Sequence, residues 1–430
     1  MNFIKKMNPG RFIALGFLTV ILLGAFILFL PFTHREGIDI SFMDALFTST
    51  SAVCVTGLTV VDTYDTFNII GQTVIAILIQ IGGLGVTSVG VGFMLLARRK
   101  VDFKDRVLVK EALNLNSMKG VVKLIKSILL MTLCFEVAGA ILSFVAFSRE
   151  LPMPRALGAS IFHAVSSFNN AGFDVLGNSR SLIDYQTNVL LNLTTCALII
   201  FGGLGFVVIK ELILKHSIRK LSLHTKVVLT MTAFLLIAGT LLFKLTEDVS
   251  WLGAFFFSTS ARTAGFATYN VANFTSATLF ALILFMFIGA SPGSTGGGIK
   301  TTTAFTIFKS VYSVSLNKHC GAFKRKIPSE IIMKAYLLAF LGVGWICFGT
   351  LILSIMEPQY SFIQILFEVV SGFGTVGLST GITPELKPVS ELVIIVTMFI
   401  GRVGPLTIAT LWSVGPKTSV CYSEEALTVG

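Results

Sequence analysis

The chain has 430 residues, of which 54% are apolar and only 13% charged, well below the roughly 25% charged content of a water-soluble domain. Its formal net charge is +11, yet no soluble basic domain accompanies that charge. Nucleic acid is therefore excluded as a partner, and basic loops on one side of a membrane account for the balance. Cys54, Cys134, Cys196, Cys320, Cys347 and Cys421 have no metal-ligand spacing and scatter along the chain, so neither a zinc site nor a disulfide framework is indicated.

In chain order, the first long apolar run extends from Phe12 to Leu30. At 1.5 Å per residue it matches a hydrocarbon core of about 30 Å. Lys5, Lys6 and Arg11 give its start the look of a signal peptide, but the run is too long for an h-region. It also ends at Pro31-Phe32 without a small-residue cleavage site, which predicts a retained helix. Runs at 69–97, 121–147, 187–209, 227–243, 277–290, 331–355 and 389–412 follow, making about eight spanning helices. An even number puts both termini on one side. Lys and Arg crowd the N-terminus, residues 98–126 (Arg98, Arg99, Lys100, Lys104, Arg106), 210–226 and 309–334, so those faces are read as cytoplasmic. Glu36, Asp39, Asp44, Asp62, Asp65, Asp184, Glu247 and Asp248 fall on the other side, where they either concentrate cations or simply solvate loops.

Between successive long runs on that outer side sits a segment too short to span, ending in a glycine: Phe47 to Gly57, Phe162 to Gly172, Phe255 to Gly265 and Phe367 to Gly377. Aligned without gaps, all four carry Phe ten residues before the glycine, a hydroxyl residue six before it (Ser51, Ser166, Thr259, Ser371), and Leu or Phe directly after it. Such a repeat predicts four copies of helix, re-entrant half-helix, loop and helix. Non-helical backbone survives at membrane depth only against protein or a water-filled cavity, and four loops together can enclose one. Glycine at the shared position would let carbonyl oxygens converge on an ion in place of its water. The half-helices would point their negative C-terminal ends at it. Helix close-packing is the alternative use of a single such glycine.

With these motifs the sequence resembles the Ktr/Trk/HKT potassium transporter superfamily, and by length its KtrB-type subunits. The resemblance covers essentially the whole chain. It implies an all-α polytopic membrane protein of four parallel helix–pore-loop–helix repeats, with eight transmembrane helices and four re-entrant half-helices in pseudo-fourfold symmetry around one pore per subunit. The corresponding divisions are 1–98, 99–220, 221–326 and 327–416, followed by a cytoplasmic tail at 417–430. By the same resemblance a potassium selectivity filter is formed by Val55, Thr56 and Gly57, by Asn170, Ala171 and Gly172, by Thr263, Ala264 and Gly265, and by Thr375, Val376 and Gly377. Potassium would be held by the carbonyls of the two residues before each glycine. Thr375-Val376-Gly377 comes nearest to a channel filter. Relatives selective for sodium can carry serine where this chain has Gly57, which favours potassium. A homodimer in the cell membrane, with both termini cytoplasmic, is implied as well. So is an octameric cytoplasmic ring of RCK-type subunits that bind the regulatory nucleotide. No cofactor is expected in this chain beyond potassium in the filter, with sodium as a second candidate ion, and membrane lipid is its surrounding partner.

Below each filter the next helix carries glycine: Gly82-Gly83-Leu84-Gly85, Gly202-Gly203-Leu204-Gly205, and Gly401-Arg402-Val403-Gly404. The third copy instead reads Gly289-Ala290-Ser291-Pro292-Gly293-Ser294-Thr295-Gly296-Gly297-Gly298-Ile299-Lys300, a stretch that predicts a break. Gly293 and Gly298 have the Walker spacing, but Ile299 stands where lysine is needed and no strand precedes, so nucleotide binding there is rejected. The resemblance assigns residues 289–304 to an intramembrane gating loop, with a rigid kink as the alternative. Arg402, too deep to snorkel easily, should face a cavity. Its expected partners are the carbonyls of the glycine loop, where it would act as a barrier to potassium, or Glu368 in a structural ion pair. Arg262, Glu368 and Asn169 are read as filter supports, and His163 as a packed residue of its half-helix. A membrane-embedded hydrolase is disfavoured, since only His163 among five histidines lies in a membrane segment. Inverted transporter repeats are disfavoured because all four loops enter from one side. A sodium-permeable member of the same superfamily remains the alternative function.

Overall fold

The computed structural model describes residues 9–97, 101–113, 120–215 and 217–409. Lys5, Lys6, Arg98 to Lys100, Cys421 and the tail at 417–430 lie outside the described residues. The first repeat comprises α1 (Pro9–Phe29), α2 (Phe42–Cys54), α3 (Ile69–Leu84) and α4 (Val86–Leu96), and α5 (Phe103–Ala112) links it to the second. The second holds α6 (Val121–Phe147), α7 (Met153–Phe168), α8 (Val189–Leu204) and α9 (Phe206–Leu214). The third holds α10 (Leu223–Thr246), α11 (Trp251–Ser260), α12 (Ser276–Phe287) and α13 (Thr301–Ser315). A two-stranded hairpin pairing Gly321–Ala322 with Arg325–Lys326 leads to α14 (Ser329–Met356), α15 (Phe362–Gly374), α16 (Pro388–Val403) and α17 (Pro405–Ala409).

The fold is an all-α membrane bundle of four helix, half-helix, helix repeats. The first helices α1, α6, α10 and α14 are each long and apolar enough to cross a bilayer, and they turn side chains such as Leu23, Leu133, Ile237 and Phe340 outward, as lipid-facing surfaces do. The half-helices are the core. Phe47, Phe256, Phe257 and Phe367 are fully buried there, together with the hydroxyls of Ser49, Thr50, Ser51, Ser166 and Ser371.

Local signals start these elements. Ser41 and Asp44 form a capping box at α2, with Asp44 N–H donating to Ser41 Oγ (3.1 Å) and Ser41 N–H to Asp44 Oδ2 (2.9 Å). Ser361 with Gln364 does the same at α15, and Ser250 caps α11. Asn68, Asn188 and Thr275 cap the helices that follow the loops.

One expectation needs correction. The runs at 69–97 and 187–209 are not continuous spans, because α3 and α4 meet at 99° and α8 and α9 at 96°. The hinges are Gly85 (φ 84°) and Gly205 (φ 93°), and Gly404 (φ 96°) separates α16 from α17. A single glycine of positive φ suffices to break a helix, and within each glycine cluster only the last takes that conformation. Conversely, the glycine-rich third break is shorter than 289–304, since Thr301 already opens α13.

Candidate functional site

Three of the four half-helices end in the same way. Thr56 N–H donates to Ser51 O (2.8 Å), Ala171 N–H to Ser166 O (2.8 Å) and Val376 N–H to Ser371 O (2.9 Å), while Val55, Asn170 and Thr375 N–H close the shorter turn inside. This is the Schellman arrangement, whose left-handed residue is usually glycine. Here it is Val55 (φ 58°), Asn170 (φ 58°) and Thr375 (φ 50°). A β-branched residue in that region is strained by about 1–3 kcal/mol and persists only where its surroundings enforce it. The third loop departs from the pattern. Ala264 N–H donates to Ser260 O (2.9 Å), and Thr263 has φ 91°.

Two residues further on, Gly57, Gly172, Gly265 and Gly377 also have positive φ, from 72° to 92°. A side chain on Gly57 would overlap Ala171 O, on Gly172 Ala264 O, on Gly265 Val376 O, and on Gly377 Thr56 O. The contacts run from loop one to two, three, four and back to one. Such a closed cycle needs all four loops to enter in the same sense around one axis. Among the described residues, no protein group donates a hydrogen bond to the carbonyls of Val55, Thr56, Asn170, Ala171, Thr263, Ala264, Thr375 or Val376. More than nine-tenths of buried carbonyls are ordinarily paired, so eight unpaired ones in one ring form a ready-made oxygen lining for a cation.

The shared hydroxyl six residues before the glycine does its expected work in two copies, where Ser51 Oγ and Ser371 Oγ each accept from the glycine N–H at 3.1 Å. In the third copy Thr259 bonds back to Phe255 O (2.9 Å), and Ser260 Oγ instead donates to Phe266 O (2.6 Å). Ser166 Oγ has no partner.

The glycines of the following helices have three distinct uses. Gly82, Gly202 and Gly401 lie against the carbonyls of Val53, Phe168 and Phe373 at the half-helix ends, where a Cβ would overlap backbone. Gly83 makes room for the Asn169 side chain. Gly85, Gly205 and Gly404 are the hinges described above. Because the obstacle at Gly82 is backbone, Gly82→Ala should destabilise the protein by about 1–3 kcal/mol. A thermal unfolding midpoint in detergent equal to that of the native chain would contradict this.

The stretch 288–300 lies between the ring and a cavity of about 510 Å³ on the far side. That cavity is lined by, among others, Gly85, Ser88, Glu111, Lys300, Lys334 and Arg402. Gly289 N–H donates to Ile299 O (2.8 Å), which closes the loop on itself. Its outer part is tied to repeat two by Ser291 N–H to Gly203 O (3.0 Å), Thr295 N–H to Gly202 O (3.3 Å) and Phe206 N–H to Gly293 O (3.0 Å). Gly297 N–H reaches the ring itself, donating to Thr375 Oγ1 (3.0 Å). Two cations complete the fastening. Lys300 Nζ donates to Gly296 O (2.7 Å) and Gly297 O (3.3 Å). The Arg402 guanidinium donates to Thr295 O, to Gly82 O and to Gly83 O. Hydrogen bonds therefore fasten the loop, with the Ile299 side chain buried in the core beside them.

Arg402 thus meets the glycine-loop carbonyls as expected, and in addition bonds two carbonyls of α3 in repeat one. Its suggested pairing with Glu368 does not occur. Glu368 is fully buried and accepts from Ser379 Oγ (2.7 Å), Thr380 N–H (2.8 Å) and Thr383 Oγ1 (2.8 Å), fastening the backbone beyond the fourth loop. Arg262 is buried with its Nε unpaired. Asn169 bonds outward, away from the ring, to Gln80 and Glu136. His163 is a packed residue, with Nε2 2.8 Å from Thr195 Oγ1 and its ring edge-on to Phe147. Two of the acids expected on the outer side fasten loops as well. Asp62 accepts from Tyr64, Asp65 and Ser179 N–H, and Glu247 accepts from Thr275 N–H.

The chain matches the family described as TrkH: Cation transport protein over residues 18–250 and 221–420. It belongs to that family. It is 41% identical to the potassium/sodium uptake protein NtpJ of Enterococcus hirae, covering 99% of this chain and 98% of the relative. It is 37% identical to the Ktr system potassium uptake protein B of Bacillus subtilis, covering 99% and 97%. In fold it is similar to the crystal structure of the potassium transporter TrkH from Vibrio parahaemolyticus, with a TM-score of 0.72 at 19% identity, over 93% of this chain and 84% of that one. This family member is a multi-pass membrane protein, and the ring, loop and cavity lie on its central axis of repeats.

Proposed function

We propose that this chain carries potassium across the cell membrane through the ring of loop carbonyls, with the 288–300 loop and Arg402 as its closed gate. The observation that carries the reading is the ring of eight carbonyls without protein donors, belonging to Val55, Thr56, Asn170, Ala171, Thr263, Ala264, Thr375 and Val376. Oxygen dipoles alone, with no carboxylate among them, suit a weakly hydrated monovalent cation that must also leave again. The C-terminal ends of α2, α7 and α15 add negative potential at the same place. The names of the relatives, potassium uptake in one and potassium/sodium uptake in the other, support potassium as cargo and sodium as a coupled or competing ion.

The loops are the outer mouth and the cavity opens to the cytoplasm, where both termini lie. Lys300 and Arg402 then put two positive charges directly beneath the ring, a barrier to any cation that has passed it. Opening requires the loop to leave α8 and Arg402, and a cytoplasmic RCK-type ring acting on a homodimer of this chain would supply the work. Inward movement needs no hydrolysis in this chain, since a polarised membrane offers about 2.3 kcal/mol per charge per 100 mV. The deciding experiment is potassium and sodium flux into liposomes containing the purified chain, with and without an RCK-type partner. Potassium-selective flux supports the reading, and absence of flux of either ion under both conditions overturns it.

The outer mouth should respond to pH. Asp174, in the loop beyond Gly172, is held up to about 7 by burial and by the nearby charges of Asp62 and Asp65, against a hydrogen bond from Leu176 N–H. It is therefore mostly neutral below that pH and gains charge above it, adding attraction for cations at the mouth. Initial potassium uptake should rise about twofold between pH 6 and 8, and Asp174→Asn should flatten that profile. A variant profile as steep as the native one would count against the assignment.

A further inference from the structure

Glu136 lies near the middle of α6, where an ionisable side chain costs at least about 2.5 kcal/mol by insertion scales and calls for a reason. Among the described residues no cation pairs with it. Its partner is an amide. Asn169 Nδ2 donates to Glu136 Oε1 (3.0 Å), to Gln80 Oε1 on α3 (2.9 Å) and to Val165 O on its own half-helix (2.9 Å). Three acceptors surround a nitrogen that carries two hydrogens, so this one group is fully committed.

Asn169 itself has no exposed surface. It is the residue directly before Asn170, whose left-handed backbone (φ 58°) starts the second loop and whose Nδ2 donates to Thr263 Oγ1 (2.9 Å) in the third. Hydrogen bonds thus tie Asn169 to Glu136 and Gln80 and the adjoining Asn170 to Thr263, so that two consecutive residues join three repeats. Gly83 is part of the same construction, since a side chain there would displace the Asn169 carboxamide. In the other copies Cys54, Arg262 and Gly374 occupy the position of Asn169, so only the second loop can be anchored in this way.

We infer that Glu136, with Gln80, is a positioning group for the second loop: the two oxygens fix the Asn169 amide, and through it the left-handed Asn170 turn and the Ala171 carbonyl that faces Gly57. This inference rests on the cation-pathway reading above. Neither residue touches the ion, and the predicted consequence of their loss is poorer discrimination between cations rather than loss of passage.

The test is the potassium-to-sodium flux ratio of the full chain in liposomes, for the native protein, Glu136→Gln, Glu136→Ala and Gln80→Met. Glutamine keeps an oxygen that accepts from Asn169 and should preserve the ratio within about twofold, whereas alanine removes it and should lower the ratio about tenfold. Gln80→Met should lower the ratio in the same direction by a smaller factor, and it keeps the test open if the alanine variant does not fold. A native ratio in the alanine variant or in Gln80→Met overturns the inference, as does a glutamine variant as unselective as alanine. A native chain that carries neither ion would instead overturn the pathway reading on which the inference stands, and the native flux alone tells the two failures apart.

Discussion

Replacing Arg402 by alanine is expected to raise potassium flux about tenfold or more. Its guanidinium bonds carbonyls of the glycine loop and of α3 at once, so it pins the loop to repeat one from the far side. A hydrogen bond to a charged group contributes about 1.5–3 kcal/mol, and losing even one shifts a closed-to-open equilibrium by about tenfold or more. On the proposed function, removal of the charge should also ease cation passage under the ring. Two arms separate these effects. Arg402→Lys keeps the charge but cannot span both carbonyl sets, so it should give an intermediate flux, while alanine gives the larger one. The measurement is the initial rate of potassium uptake into liposomes, normalised to properly folded protein. Unchanged flux in Arg402→Ala would remove the arginine from the gate, leaving the loop to be tested by deletion of Gly293 to Gly298, which should also raise flux.

The second large effect is expected at Gly377→Ser. Its φ of 92° lies in the region open to glycine, and a Cβ would be driven into Thr56 O of the neighbouring loop. A left-handed backbone costs a side-chain-bearing residue about 1–2 kcal/mol before any overlap is counted. The overlap cannot be relieved by a rotamer change because its target is backbone. The loops must spread, and the potassium-to-sodium ratio should fall toward one, with potassium flux reduced about tenfold. Retention of native selectivity in Gly377→Ser would show that the ring is not where the ions are distinguished. Combining the two substitutions gives a further check. If loop and ring act separately, the double variant should pass both ions quickly and without preference.

Much of this was legible in the chain. Apolar length marked the spans, and the fourfold Phe, hydroxyl and glycine pattern marked the half-helices and the ring. The density of small residues after Phe287 marked the broken third helix, and the depth of Arg402 foretold carbonyl partners. Each is a local property, a matter of composition or of spacing within one segment. The left-handed Val55 and Thr375 were not legible, because nothing in valine or threonine favours positive φ, whereas asparagine at Asn170 tolerates it. The ring imposes it. Nor did the hinges announce themselves, because in Gly82-Gly83-Leu84-Gly85 and its counterparts nothing local says which glycine packs against backbone and which turns the chain.

The register slip in the third loop, where Ser260 rather than Thr259 bonds across the turn, depends on a half-helix that ends differently from its siblings. The two-repeat grasp of Arg402 and the anchoring of Asn169 by Glu136 and Gln80 join residues that are 33 to 320 positions apart. The sequence by itself therefore determined a membrane protein of four repeats with glycines where backbone must approach backbone. Which carbonyl each glycine meets, which loop carries a side-chain anchor and what pins the glycine-rich loop were decided only by tertiary structure. Hydrophobic length and glycine spacing act within a segment, whereas hydrogen-bond partners at membrane depth are chosen by whichever distant segment leaves a polar group otherwise unpaired.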